Sequence, residues 1–327
     1  MSQTNFSIDR YVTQKFGEEK VLEAWEHVKA AKSITLLTHA SADADALCSC
    51  AALADFLISK DKKIEVVLLD QPKIKPFYKV KPIYIGRHVQ SPDLIMVLDT
   101  ANRERMYWTK EFDGIPLINI DHHRDSTFDV EFNFVDQKAS SACQVLASFL
   151  VAWDESAISS FAAEALLCGL LDDSIIFRSQ LSDAKTLRVA AFLIDAGSDF
   201  LKVKTRILTY KSSFVVKFWG MVLSRIKNIK GNSLSVASIA QSDFEKFGTD
   251  KSVLGGFVNF FAGLVSSDIV LMLVEKEDGT VKGSFRSKYY NVSELANKLG
   301  GGGHKNAAGF ELVGTLQDAE KEVISKF

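Results

Sequence analysis

The chain has 327 residues, 47% of them hydrophobic, and a formal net charge of −2. This length predicts about two domains of roughly 150 residues each, and the near-neutral charge excludes a polycation that binds nucleic acid through its overall field. The sequence shows no secretory signal, no run of the ~18 apolar residues that a membrane-spanning helix needs, and no Cys-x-x-Cys pair among its four cysteines. We therefore expect a cytoplasmic protein with no membrane partner and with buried, reduced thiols.

The first half of the sequence alternates apolar runs with helical patterns. Strands are predicted at 33–38, 63–70, 94–99 and 117–121, and helices at 17–31, 43–60, 140–153, 158–171 and 184–197. Because helices separate the strands, and the strands are apolar along their whole length, the pattern predicts a doubly wound, mainly parallel sheet covered by helices on both faces. We expect residues 1–197 to form this first domain.

The segment 198–230 differs in charge from the rest of the chain. Residues 201–231 contain eight lysines and arginines and no acidic residue. One interpretation is a basic helical linker between two domains, whose charges are solvated. The other is a basic wall that faces a phosphate-bearing ligand and extends an RNA path. We expect the linker, and the sequence leaves the role of the charges open.

A second α/β region follows the basic segment. Strands are predicted at 232–239, 268–275 and 281–285, a turn at 277–279 and a helix at 292–299. We therefore expect residues 231–327 to form a second, smaller α/β domain. The predicted fold class is α/β throughout.

Several predicted strands end in residue types that bind divalent metal ions. The first strand leads into His39, and Asp43 and Asp45 follow at the start of a helix. A single aspartate here would be an ordinary helix N-cap, but two aspartates after a histidine also match the ligand set of Mn²⁺, Mg²⁺ or Zn²⁺. Asp99 ends another strand. Alone it would be a turn residue, whereas beside the other ligands it could bridge two cations.

The most specific local string is Asp121-His122-His123, directly after an apolar run. It could be a polar strand end with exposed imidazoles, but four of the six histidines fall in the candidate loops. A ligating histidine needs its second ring nitrogen fixed by an acceptor, and Asp121 is a candidate for that role, which would leave His123 to face a substrate. Asp172 and Asp173 end a predicted helix, where negative charge is unfavourable unless a cation lies nearby.

The glycine run 300–303 predicts a flexible turn with free backbone N–H groups, which can approach a phosphate closely. Arginine suits bidentate binding of a phosphate, and an arginine precedes this turn in the second domain. We interpret the following residues as a phosphate clamp: Arg286, Ser287, Gly301, Gly302, Gly303 and His304.

Taken in order, these motifs resemble the DHH phosphoesterase superfamily, in the subfamily with a C-terminal DHH-associated substrate-binding domain. They are most similar to the stand-alone nanoRNase/pAp phosphatase (NrnA-type) proteins. The resemblance covers nearly the whole chain and rests on Thr38-His39 with Asp43 and Asp45, Asp99-Thr100, Asp121-His122-His123, residues 169–174, Arg286-Ser287, and residues 300–304 with Ala307-Ala308-Gly309. The chain departs from the family where Ala42 replaces a common proline, and where Ala44, Cys48 and Ile175 replace common glycines.

The resemblance implies two Mn²⁺ ions, for which Mg²⁺ or another divalent cation could substitute. It implies one ion held by His39, Asp43 and Asp99, and another held by Asp45, Asp99, His122 and Asp173, with Asp99 bridging and catalytic. It also places His123, as a catalytic residue, beside the scissile phosphate. Arg286 and His304 would hold the substrate's phosphates from the second domain.

The same resemblance implies a hydrolase that degrades short RNA or DNA oligonucleotides from one end to mononucleotides, converts pAp to AMP, or does both, with water activated by two metal ions. The alternative enzyme is a phosphodiesterase of cyclic or linear dinucleotides such as c-di-AMP or pApA, which would use the same ligands. The alternative outside enzymes is a nucleotide-binding sensor with a degenerate site. The chain is compatible with a homodimer, and the sequence leaves the oligomeric state open.

Overall fold

The computed structural model describes residues 7–72, 82–207, 212–229, 231 and 233–327. They form two compact units, which divide between residues 209 and 210. Lys211 and Lys230 of the basic segment, Asn232 at the expected start of a strand, and the first six residues lie outside the described residues. Within the described ranges, no helix is long and apolar enough to cross a membrane.

The first unit is built on a parallel sheet of six strands. The strands are β1 (Ser33–Leu37), β2 (Lys63–Leu68), β3 (Ile83–Ile85), β4 (Leu94–Leu98), β5 (Leu117–Asp121) and β6 (Phe132–Val135). Their order in the sheet is β3-β2-β1-β4-β5-β6, and every neighbouring pair is parallel. The order reverses between β1 and β4. Ligands of doubly wound sheets bind at such a switch point, outside the carboxyl ends of the strands.

Helices cover this sheet. They are α1 (Ile8–Phe16), α2 (Glu18–Ala30), α3 (Ala44–Ile58), α4 (Ala142–Asp154), α5 (Ser160–Asp173), α6 (Ala184–Asp195) and α7 (Phe200–Ile207). Nearly every residue of α3 is buried, because α3 packs against α4, α5 and β2. A helix that is apolar on nearly all sides is stable only in such an interior position. The loop from the carboxyl end of β1 leads into this buried helix.

The predicted strands of the first unit are present, but three of them end earlier than expected. The strand predicted at 94–99 ends at Leu98, because Asp99 adopts a left-handed backbone conformation (φ 54°) that a strand cannot continue. The strands predicted at 33–38 and 63–70 likewise end at Leu37 and Leu68. The short strands β3 and β6 and the helix α1 were not predicted, since they are too short or too polar to give a clear period.

The second unit has a mixed sheet of six strands. They are β7 (Lys227–Ile229), β8 (Leu234–Ile239), β9 (Ile269–Glu275), β10 (Thr280–Ser287), β11 (Gly302–His304) and β12 (Ala307–Val313), in the order β11-β12-β10-β9-β8-β7. The pair β8–β9 is parallel, and the other neighbouring pairs are antiparallel. The helices are α8 (Ser213–Leu223), α9 (Gln241–Phe247), α10 (Phe257–Leu264), α11 (Val292–Asn297) and α12 (Leu316–Lys326). The predicted fold class, a parallel α/β domain and a smaller second α/β domain, is confirmed.

The basic segment 198–230 is divided between the two units. Helix α7 packs against α5 in the first unit, whereas α8 and β7 belong to the second. Many of its charges are paired inside their own unit, as the following ion pairs show: Lys202 and Arg206 with Glu164, Arg225 with Asp243, and Lys227 with Glu320. Glu164 is largely buried, so its two cations neutralise a charge that would otherwise be costly there. These contacts favour a structural role for the paired charges.

Candidate metal centre and phosphate-binding residues

His39 and Asp43 lie in the loop that joins β1 to α3. The Nε2 atom of His39 is 3.5 Å from Oδ2 of Asp99 and 3.7 Å from Oδ1 of Asp43. Its Nδ1 atom is 2.8 Å from the carbonyl oxygen of Ala40. A carbonyl only accepts, so Nδ1 carries the proton, and Nε2 of the neutral ring keeps a lone pair for a cation. Asp43 also caps α3 by accepting the backbone N–H of Ala46, so the N-cap interpretation and the ligand interpretation apply to the same side chain.

Asp99 lies between two imidazoles at the carboxyl end of β4. Its Oδ1 is 3.4 Å from Nε2 of His122, and its Oδ2 is 3.5 Å from Nε2 of His39. The Asp99 side chain is 4% exposed, and among the described residues Oδ1 has no hydrogen-bond partner. A buried carboxylate oxygen without a partner is costly unless a charged group compensates it. Asp99 is thus placed where a bridging ligand would lie.

Asp45, His122 and Asp173 form the other side of the cluster. The Nε2 atom of His122 is 3.5 Å from Oδ2 of Asp173, and one ligand atom from each of the three residues lies within 4.8 Å of the others. The Asp45 carboxylate accepts the backbone N–H groups of Ala142 at 2.6 Å and Cys143 at 3.1 Å. These groups begin α4, whose dipole favours a negative charge at that end. Asp45 is therefore fixed in position by a helix N-terminus.

Asp121 supports the two histidines that follow it. Its Oδ1 accepts the backbone N–H groups of His122 at 2.7 Å and His123 at 3.2 Å, and it lies 2.7 Å from Nδ1 of His123. Asp121 is buried, whereas the His123 side chain is 30% exposed. Asp121 thus orients its two neighbours, and the role of His123 in facing a substrate stays a prediction.

The electrostatics of the cluster reflect crowded, buried charge. Burial alone would lower the pKa of His122, but the surrounding carboxylates, Asp99 first, raise that pKa to about 10. Burial raises the pKa of Asp173 to about 6 against the opposing effect of His122, and it raises the pKa of Asp45 well above its usual value. Burial also acts to raise the pKa of Asp99, yet the nearby imidazoles of His122 and His39 outweigh it and hold that pKa below its usual range. A bound cation would relieve the repulsion between these carboxylates.

The donor set fits two divalent cations. Ligand atoms of His39, Asp43 and Asp99 lie within 4.8 Å of one another, as do those of Asp45, His122 and Asp173. The structure thus brings together all six side chains that the sequence suggested as ligands, in two groups of three with Asp99 beside both. A third group of the same kind joins Asp99, His122 and His123. Asp172 belongs to none of these three groups.

In the second unit, Arg286 and His304 share one face of the mixed sheet. Ala307 on β12 lies opposite Arg286 on β10 and also opposite His304 on β11. Residues directly opposite one another in antiparallel strands project from the same face, so a row of three side chains runs Arg286, Ala307, His304. The guanidinium Nε donates to Oδ1 of Asn259 on α10 at 2.8 Å, which orients the arginine. This row provides cationic and imidazole donors for an anion.

The glycine run is more ordered than the sequence predicted. We expected a flexible turn, but Gly302–His304 forms the edge strand β11. The reason is close packing, because a side chain on Gly301 would overlap the carbonyl oxygen of Gly309, and one on Gly303 would lie 2.6 Å from that of Ala307. The prediction of free N–H groups along the whole run is thus wrong for the part that pairs with β12.

The Ser287 hydroxyl is already used within the second unit. It donates to the carbonyl oxygen of Asp268 at 2.9 Å and accepts the backbone N–H groups of Tyr289 at 3.2 Å and Tyr290 at 2.9 Å. These bonds hold the turn after β10. Its assignment to the phosphate clamp stays a prediction.

Sequence reasoning missed two supports of the cluster. One is the pair of backbone N–H groups on Ala142 and Cys143, which no side-chain motif reveals. The other is Asp70, which follows β2 and bonds to Ser41 in the His39 loop. Asp70 ends an apolar run just as Asp99 does, so the same signal could have found it.

This fold and this site define a class of protein: a two-domain α/β protein with a candidate dinuclear metal centre at the carboxyl end of a parallel sheet. Two family models match the chain, "DHH family, N-terminal domain" over residues 33–170 and "DHHA1 domain" over residues 231–327. The chain belongs to the DHH family and is a phosphoesterase. The resemblance inferred from the motifs is confirmed.

Relatives support this family over most of the chain, and a solved structure supports the fold. A probable bifunctional oligoribonuclease and PAP phosphatase NrnA of Streptococcus mutans is 26% identical over 86% of this chain and 90% of its own length. The bifunctional oligoribonuclease and PAP phosphatase NrnA of Thermus thermophilus is 29% identical over 93% of this chain and 92% of its own. The crystal structure of an exopolyphosphatase-related protein from Bacteroides fragilis superposes with a TM-score of 0.79 over 94% of this chain and 95% of that one, at 24% identity. This last likeness supports the fold.

Proposed function

We propose that this phosphoesterase hydrolyses short oligonucleotides from one end to mononucleotides and converts pAp to AMP. It would use two divalent cations, preferably Mn²⁺. The observation that carries the proposal is the arrangement of six buried or half-buried ligand side chains in two groups of three, with Asp99 beside both. The substrates are proposed from relatives whose names include oligoribonuclease and PAP phosphatase.

The residues that would hold the ions follow from the two groups. We assign one ion to His39, Asp43 and Asp99, and the other to Asp45, Asp99, His122 and Asp173. Mg²⁺ or another divalent cation could replace Mn²⁺, since carboxylate and imidazole suit several hard or borderline ions. When bound, such ions supply an activated water and neutralise charge on the attacking and leaving oxygens of an in-line displacement.

His123 contributes a proton donor from the chain itself. The Asp121 carboxylate, which binds Nδ1, raises the pKa of His123 and fixes the orientation of the ring. The other ring nitrogen is then free to donate to a phosphoryl oxygen or to the leaving oxygen. His123 is the proposed catalytic side chain beside the scissile phosphate, and Asp121 keeps it there.

Arg286 and His304 are proposed to bind the phosphate groups of the substrate. A guanidinium and an imidazole on one sheet face suit the closely spaced anions of a nucleotide bisphosphate or of an oligonucleotide backbone. We propose short RNA or DNA and small nucleotides as the partners of this site. The four free, buried cysteines support a cytoplasmic location.

A substrate panel tests the proposal. The full-length chain, stripped of metal and then loaded with Mn²⁺, is incubated with pAp, pApA, an RNA of three to five nucleotides and c-di-AMP, and released phosphate and mononucleotides are measured. We expect release from the short RNA and from pAp. Release from c-di-AMP or pApA alone would favour a dinucleotide phosphodiesterase. No release from folded, metal-loaded protein would overturn the enzyme and favour a nucleotide sensor.

A substitution at the shared ligand tests the metal requirement. Asp99→Asn keeps the size of the side chain but removes the charge between the two imidazoles. Loss of a group that merely orients a metal ligand costs about 10–100-fold in activity or affinity, so loss of a shared ligand should cost at least about 100-fold. Circular dichroism checks that the variant is folded. Near-normal hydrolysis by folded Asp99→Asn in Mn²⁺ would contradict the role of Asp99.

A further inference from the structure

We infer that Asp70 is a positioning residue for the metal site, because it fixes the backbone of the loop that carries His39 and Asp43. The Asp70 carboxylate binds Ser41 twice. Oδ1 accepts the Ser41 backbone N–H, and Oδ2 accepts the Ser41 hydroxyl at 3.1 Å. Ser41 lies midway between His39 and Asp43, so the positions of both candidate ligands depend on its conformation.

Ser41 needs this support because its backbone is left-handed. Its φ is 54°, a region that residues other than glycine seldom adopt. A non-glycine residue persists there only when its surroundings determine the conformation. The carboxylate of Asp70 accepts from both hydrogen-bond donors of Ser41 at once, so it favours this conformation over the extended or helical ones.

The topology of the sheet explains why the support comes from Asp70. Strand β1 lies between β2 and β4. The segment after β2 supplies Asp70, and the segment after β4 supplies the carbonyl of Arg105, which accepts the backbone N–H of Ala40. An isolated antiparallel β-bridge between His39 and Met106 strengthens the contact of this loop with the segment after β4. The His39 loop is thus held on both sides by the segments that follow the two flanking strands.

This role differs from that of the ligands. Asp70 is exposed and is 29 residues from Ser41 in sequence. It acts on the cluster through the loop, and for that reason it is a positioning residue. The loop conformation sets where the imidazole of His39 and the carboxylate of Asp43 stand before a cation arrives. Asp70 is therefore expected to act on the cation held by His39, Asp43 and Asp99.

The inference rests on the proposed metal site, and Mn²⁺ binding to the metal-free, full-length chain tests it directly. We expect Asp70→Ala to weaken Mn²⁺ affinity by about 10–100-fold in isothermal titration, the usual effect of losing a group that orients ligands. Asp70→Asn should stay close to the wild type, because its amide can accept the Ser41 N–H and donate to the Ser41 hydroxyl.

Asp93→Ala is the matched control. The Asp93 carboxylate likewise accepts two hydrogen bonds, here from the backbone N–H groups of Lys32 and Ser33, but at the opposite end of β1. Its loss should affect stability in the same way and leave Mn²⁺ affinity unchanged. Equal Mn²⁺ affinity in wild type, Asp70→Ala and Asp93→Ala would overturn the inference, and so would an equal loss of affinity in the two alanine variants.

Amide hydrogen exchange in the metal-free protein separates this inference from the proposed function. If the wild type binds no Mn²⁺, the metal site fails, but the loop can still be measured. We expect Asp70→Ala to speed exchange of the Ser41 N–H, and Asp93→Ala to leave it unchanged. Should Asp70→Ala not fold, Ser41→Ala removes only the hydroxyl bond and is expected to give a smaller change in the same direction. Unchanged exchange in the folded variant overturns the positioning role.

Discussion

Gly169 on α5 approaches Asp45 on α3 so closely that a Cβ atom on the glycine would lie 2.7 Å from Oδ1 of the aspartate. The same atom would overlap the Sγ atom of Cys143 on α4. The absence of a side chain at this position lets the three helices meet. Asp173 stands four residues further along α5, on the same face, so this close approach also brings its carboxylate to His122.

Gly169→Ala is expected to damage both stability and the metal site. Overpacking in a buried position costs about 1–3 kcal/mol, and any shift of α5 or α3 moves Asp173 away from Asp45. Urea unfolding and Mn²⁺ titration measure the two effects. Gly220→Ala is the control, because Gly220 lies inside α8 and a Cβ atom added there would have no neighbour within 4 Å among the described residues. That change should be neutral or stabilising by up to about 1 kcal/mol. Similar results for both variants would contradict the packing argument.

Asp173 and Asp172 provide a matched pair of acids. Both end α5, and burial raises the pKa of each to about 6. Only Asp173 belongs to a group of candidate ligands, at 3.5 Å from Nε2 of His122. We expect Asp173→Asn to lower kcat and Mn²⁺ affinity by about 100-fold or more, since it removes a ligand. Asp172→Asn should leave both near the wild-type values. Equal losses in the two variants would show that charge alone, and not position, matters here.

The ligands could be predicted because each ends or follows an apolar run. His39, Asp99 and His122 come after strands that the hydropathy pattern marks clearly, and parallel strands bring their carboxyl ends to one edge. The two groups of three could not be predicted in this way. They depend on distances between atoms of four separate segments, and those distances follow from packing rather than from spacing along the chain.

The residues that support the ligands could not be predicted from the sequence, for a related reason. Asp45 is held by backbone N–H groups 97 and 98 residues away, and backbone groups leave no trace in residue type. The sequence predicts a flexible turn where the edge strand β11 lies, because a run of glycines is typical of loops. Here the glycines allow the backbone to lie close to β12, and this contact can be recognised only when the partner strand is known.

Ile175→Gly is expected to stabilise the first unit or leave it unchanged. Ile175 has a φ of 52°, and Ile176 and Phe177 also have positive φ values, so three consecutive side chains occupy a left-handed turn directly after Ser174. Such a conformation costs an L-residue about 1–2 kcal/mol, and glycine avoids this cost. Ile58→Gly is the control, because Ile58 is equally exposed but ends the regular helix α3. It should destabilise by about 0.5–1 kcal/mol. Thermal unfolding compares the stabilities of the two variants. A larger loss of stability for Ile175→Gly than for Ile58→Gly would contradict the claim that Ile175 is strained.

Arg286→Gln is expected to raise KM for pAp with a smaller effect on kcat. A hydrogen bond to a charged group contributes about 1.5–3 kcal/mol, which corresponds to about tenfold or more in binding. Asn259→Ala should produce a weaker change of the same kind, because Asn259 only orients the guanidinium. Lys282→Gln, which removes an exposed positive charge from the same strand, is the control and should leave KM unchanged.

A double substitution tests whether Arg286 and His304 hold the same phosphate. The two residues flank Ala307 on one sheet face, so both side chains project to the same side of the sheet. If they do, the free-energy change in Arg286→Gln/His304→Gln should be smaller than the sum of the changes in the single variants, since the second loss acts on a phosphate that is already poorly held. Steady-state kinetics with pAp give KM for all four proteins. Strict additivity would indicate separate phosphates, and a fall in kcat at constant KM would contradict a binding role for this row.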